Sequence, residues 1–133
     1  ERERVEIVTE IPDTLPPVYA DEGRLDQILT NLLRNALRHT PPGGIIVVRA
    51  ETEADAVKLD VCDTGEGIAP KDLPHIWERF YRGAEARTQD QHGAGLGLAL
   101  VKELTEAMGG AVDVQSNTGE GSCFTVWLPK NKE

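Results

Sequence analysis

Four short stretches of this 133-residue chain carry residue types that can do chemistry. Gln27, Asn31 and Asn35 recur every fourth position within a run of helical character. At about 100° per residue, Asn35 meets the edge of that helix's apolar face and Asn31 lies about 40° further out. The three form one polar stripe beside the buried face. Asparagine is a mediocre helix former, so its repetition here asks for a reason. Solvation, or capping of a neighbouring loop, is one. The other is an oxygen ligand for Mg²⁺, which prefers hard oxygen donors and keeps waters and phosphates in its shell. Spacing alone does not choose between them.

The second stretch, Asp63-Thr64-Gly65-Glu66-Gly67-Ile68, directly follows a strand-like run. A carboxylate at a strand end, followed by glycines that permit close approach, can accept a hydrogen bond from an exocyclic amine such as adenine N6. An Asx-type turn is the plainer reading. The third, Gly93-Ala94-Gly95-Leu96-Gly97-Leu98, opens into an apolar helix. Free N–H groups and the positive end of a helix dipole suit a phosphate there, although a simple glycine hinge has the same composition. It is no dinucleotide fingerprint, because it follows a polar loop rather than a strand, and no P-loop, because no Gly-Lys-Ser/Thr exists in the chain. Gly119-Glu120-Gly121-Ser122, before the last strand, is weak by itself because hairpin turns use glycine routinely.

These stretches need elements to hold them. Asp21 offers an N-cap for a helix running to about His39, with Leu25, Ile28, Leu29, Leu32, Leu33, Ala36 and Leu37 on one buried face. Pro41-Pro42-Gly43-Gly44 ends it. Val5, Ile7 and Ile11 suggest a short first strand, and Pro16 to Ala20 a second extended piece. Strands are expected over Ile45–Ala50 and Ala56–Asp63, the latter alternating Val57, Leu59 and Val61 with Lys58 and Asp60. A short helix is expected from Pro70 to Arg82, a mobile loop over Gly83–His92, and a helix from about Gly95 to Met108. Val112–Ser116 and Ser122–Leu128 read as a closing hairpin. The order predicts an α+β, two-layer sandwich: one mixed, mostly antiparallel sheet of about five strands, covered on one face by about three helices.

Composition bounds the rest. The net charge of −9, from 23 acidic against 14 basic residues, disfavours nucleic acid and anionic lipid as partners. Cys62 and Cys123 have no metal-ligand spacing and read as independent buried thiols in a reducing compartment. No apolar run approaches the roughly 18 residues of a membrane span. The chain opens on Glu1 within a strand-like stretch and reads as a single domain, residues 1–133, cut from a longer protein.

Taken in order, the four stretches plus Ile76-Trp77-Glu78-Arg79-Phe80-Tyr81-Arg82 resemble the ATP-binding catalytic domain of bacterial sensor histidine kinases. That family belongs to the Bergerat-fold ATPase superfamily shared with Hsp90, type II topoisomerase and mismatch-repair ATPases. Asn31 to Thr40 matches the N box, and Asp63 to Ile68 the first glycine box. Ile76 to Arg82 matches the F box, and Gly93–Leu98 and Gly119–Ser122 the remaining glycine boxes. The resemblance covers nearly the whole chain. It implies that Asn35 ligates Mg²⁺, with Asn31 close to the phosphates. Asp63 would read the adenine amine, Gly65, Gly67 and Ile68 would shape the base pocket, and His39 would lie beside the base. Gly95, Leu96, Gly97 and Leu98 would hold the phosphates through backbone N–H groups, with Arg38 and Arg82 near their terminal end. Ser122 stands at the third glycine box, and residues 83–92 would be the ATP lid, anchored by Phe80 and Tyr81.

Departures from the family's commoner residues are His39 for tyrosine or phenylalanine, Trp77 for the F-box phenylalanine and Ser122 for threonine. None of His39, His75 or His92 has the context of a phosphoacceptor. The resemblance therefore implies a two-component signalling transferase that presents the γ-phosphate of Mg-ATP to a histidine on a separate dimerisation domain. A response regulator would be served through the full-length kinase. The domain would be a cytoplasmic monomer, its parent anchored in the inner membrane or not. Serine kinases and hydrolysing members of the superfamily place a glutamate four residues before the metal asparagine. Here that position is Asn31, which cannot take a proton at neutral pH. A degenerate nucleotide-binding module without chemistry is the other alternative.

Overall fold

A computed structural model describes residues 4–12, 22–78 and 96–130. Five strands form one sheet: β1 (Glu6–Glu10), β2 (Ile45–Glu53), β3 (Ala56–Asp63), β4 (Ala111–Asn117) and β5 (Gly121–Pro129). Their spatial order is β1-β2-β3-β5-β4. β1 runs parallel to β2, and every other pair is antiparallel. Helices α1 (Glu22–His39) and α2 (Leu96–Ala107) pack on one face and against each other.

The period-two pattern of the strands decides what faces the helices. Ile46, Val48 and Ala50 of β2, Val57, Leu59 and Val61 of β3, and Phe124, Val126 and Leu128 of β5 are buried. All of these but Val57 meet Ile28, Leu32 and Ala36 of α1 and Val101 of α2 in a single core. The opposite face mixes polar side chains with Val47, the two cysteines and Trp127. There Arg49 reaches Glu10 at 2.9 Å, Thr125 donates to Asp60 at 2.6 Å, and the Trp127 indole donates to Glu53 at 2.6 Å.

Two expectations are corrected. The helix expected from Pro70 to Arg82 is, over 70–78, a series of turns around a single 3₁₀ turn at Leu73–His75. Pro70 and Pro74 withhold the amide hydrogens that an α-helix needs, and Pro74 sits in the first positions of the 3₁₀ turn. The described residues thus hold two α-helices rather than about three. Cys62 and Cys123 are not independent thiols. The β3–β5 register sets them opposite each other, with Cα atoms 4.0 Å apart, and the structure joins them as a disulfide. The reducing compartment inferred from free thiols loses that support. Residues 13–21, including the extended piece at 16–20 and the Asp21 cap, lie outside the described residues, as do residues 79–95.

Candidate functional site

Asp63 is the last member of the core-facing row Val57-Leu59-Val61-Asp63, so its carboxylate emerges on the helical side where the apolar filling stops. It is 7% exposed. Burial raises its pKa from the ordinary aspartate value. Backbone N–H groups of Gly65 (2.8 Å) and Ser122, and the nearby His39, act in the opposite direction. Ser122 is the register partner of Asp63 on β5 and is itself buried. Two donors therefore fix the carboxylate and leave it remaining acceptor capacity.

The loop after β3 is pinned on both sides. The Thr64 hydroxyl accepts from the Ile45 N–H at 2.9 Å, and the Thr64 N–H donates to the Ile45 carbonyl at 3.1 Å. The Ile68 N–H donates to the Ser116 hydroxyl at 2.7 Å, and Ser116 and Ser122 share a hydrogen bond of 2.9 Å. Gly67 adopts φ +79°, and a Cβ there would lie 2.3 Å from the Asn117 carbonyl oxygen. A Cβ on Gly65 would come within 2.1 Å of the His39 carbonyl oxygen. The glycines permit the loop to lie directly against the end of α1 and the β4–β5 turn.

From α1 come the asparagines. Asn35 is buried and Asn31 half-buried. The Asn31 amide nitrogen donates to the Gln27 carbonyl at 2.9 Å. Its oxygen lies 3.4 Å from where a Cβ of Gly97 would be, so the polar stripe of α1 meets the first turn of α2. In that turn the N–H groups of Leu96, Gly97 and Leu98 have no partner within the helix, a ready arrangement for an anion. Arg38 and His39 close the last turn of α1, where cationic side chains complement the helix dipole. They line a cleft of about 410 Å³ together with Thr40, Pro41, Thr64, Gly65, Glu66 and Gly119.

The structure thus brings Asp63 against Gly65 and Ser122, Gly65 against His39, Gly67 against the β4–β5 turn, Ile68 against Ser116 and Asn31 against Gly97, while Asn35 and Arg38 share α1 with Asn31, and Leu96 and Leu98 share the first turn of α2 with Gly97. Arg82, Gly95, Phe80, Tyr81 and the lid at 83–92 lie outside the described residues. Trp77, the departure from the F-box phenylalanine, packs edge-on against Phe124, with centroids 5.8 Å apart. Sequence reasoning missed Ser116 and Glu66. Ser116 lies beyond every motif, and only the β4–β5 register, which sets it opposite Ser122, reveals it. Glu66 stands inside a glycine motif as an apparent spacer, yet its carboxylate meets the His39 ring.

The family of histidine kinase-, DNA gyrase B- and HSP90-like ATPases matches residues 20–132. The sensor protein SrrB of Staphylococcus aureus is 44% identical over 110 residues, which cover 83% of this chain and 19% of SrrB. The mycobacterial sensor histidine kinase MprB superposes with a TM-score of 0.82 at 32% identity, covering 97% of this chain and 86% of that structure. Full-length ShkA in complex with AMPPNP superposes with a TM-score of 0.79 at 37% identity, covering 97% of this chain and 27% of that one. The chain belongs to the histidine kinase-, DNA gyrase B- and HSP90-like ATPase family, as an ATP-binding catalytic domain of the sensor histidine kinase kind. It spans about a fifth of the length of SrrB.

Proposed function

We propose that this chain binds Mg-ATP and presents the γ-phosphate to a histidine on a separate dimerisation domain of the same kinase, which then serves a response regulator. The observation that carries the reading is the Asp63 carboxylate, held by two backbone donors on the same side of the sheet as Asn35 and the open first turn of α2. A fixed acceptor for an amine and a fixed set of donors for phosphates are what an adenine nucleotide requires at its two ends. The bound AMPPNP of ShkA supports the assignment.

Asp63 accepts from the adenine amine, with Gly65, Gly67 and Ile68 shaping the pocket and Ser122 steadying the carboxylate. The N–H groups of Gly95 to Leu98 hold the phosphates, and Arg38 and Arg82 neutralise charge near their terminal end. The described residues contain no cluster of three carboxylate, histidine or cysteine ligands for a metal ion. A single buried amide oxygen, from Asn35, nevertheless suits Mg²⁺, which takes few protein ligands and completes its shell with phosphates and water. When bound, the ion would neutralise phosphate charge. The chain's own contribution is positioning, which dominates phosphoryl transfer generally. Asn31 cannot act as a base toward water or serine, which favours a nucleophile activated on its own domain.

The test is transfer of label from γ-labelled ATP to a supplied histidine-bearing dimerisation domain of the parent kinase. Label on that histidine, and none on this chain alone, is the expected result. Label on serine, or rapid release of free phosphate, would contradict it.

A further inference from the structure

Among the described residues, Glu66 is the one acidic side chain that lines the cleft, and it meets a ring there. Its Oε2 lies 3.1 Å from His39 Nδ1. A carboxylate only accepts, so Nδ1 carries the proton and Nε2 is the ring atom left for other partners. Both residues are held by their backbones. The Glu66 carbonyl accepts from the Gly119 N–H at 2.7 Å, and its neighbour Gly65 lies hard against the His39 carbonyl. The pair is therefore a bridge between the last turn of α1 and the loop that carries Asp63.

We infer that Glu66 is a positioning residue, which fixes the His39 ring at the base end of the site and so sets affinity for the adenine moiety. The inference rests on reading this cleft as part of a nucleotide site. The exposure of the two side chains, 34% for His39 and 60% for Glu66, argues against a role in stability, because exposed ion pairs contribute little to folding. A partner that adds little to the fold and aims a ring from the margin of a cleft acts through what the cleft holds. Left without Glu66, the ring is free to turn about its last torsion, and ordering it again becomes a cost of binding.

A double-mutant cycle on this chain, read by calorimetry with ADP and with pyrophosphate, tests the inference. Glu66→Ala is expected to weaken ADP about fivefold, and to change nothing further in a His39→Ala background. Glu66→Gln, which keeps an acceptor oxygen, is expected to retain ADP affinity within about twofold. Pyrophosphate, lacking a base, should bind all variants alike. Loss of ADP affinity that is the same with and without His39, or equal for pyrophosphate, overturns the positioning role, as does no loss at all. A wild-type chain that binds no ADP overturns the nucleotide reading together with it. ADP binding with an uncoupled pair overturns the role of Glu66 alone.

Discussion

Asp63 holds a charge where the fold would sooner have none. Burial raises its pKa, which means the native state holds its proton more tightly than the unfolded chain does. Its contribution to stability is therefore fully present below the ordinary carboxylate value and is lost as pH rises through the raised native one. Thermal melts should show the stability of the wild type relative to Asp63→Asn to be greater in acid than at neutrality. No pH dependence of that difference would contradict the burial argument. The same substitution replaces an acceptor-only group by one that also donates. We expect it to weaken adenine nucleotides on the order of tenfold while leaving pyrophosphate affinity nearly unchanged, by calorimetry. Asn35→Ala makes a complementary test. Alanine is a better helix former, so stability should move by no more than about 1 kcal/mol, while the Mg²⁺-dependent part of ATP affinity disappears. Affinity that still responds to the metal would remove Asn35 as its ligand.

At the scale of elements, the loop after β3 depends on glycine at two places where other residues would be expelled. Gly67→Ala should cost about 1–3 kcal/mol, since it combines a left-handed backbone with a Cβ driven into the Asn117 carbonyl. Chemical denaturation measures that cost, and a neutral substitution would show that the loop is not pinned to the β4–β5 turn. α1 was legible because its apolar positions keep one period, although Leu37 near its end is 46% exposed, and β3 because Val57, Leu59 and Val61 alternate cleanly. The helix expected from Pro70 is replaced over 70–78 by turns around Leu73–His75. Pro70 and Pro74 each lack the backbone donor that a continuous helix there needs. Ser116 was illegible for a different reason. Its importance comes from facing Ser122 and Ile68, a matter of strand register, and register is not written in either strand alone.

Across the whole molecule, one sheet end gathers contributions from both helices, the loop after β3 and β5, so the site exists only when the core is assembled. The order of the motifs carried the resemblance from which that candidate site is expected, each stretch being weak alone. The pairing of Cys62 with Cys123 could not be read in the same way. The two are far apart in the chain and become neighbours only through the β3–β5 ladder. The acidic surface, with a net charge of −9, makes anion binding a local achievement of backbone donors and a few arginines. Calorimetric titration of the chain with ATP, with and without Mg²⁺, tests this account most directly. Binding that strengthens with the metal, accompanied by negligible hydrolysis, is the predicted result. No binding under either condition would contradict it.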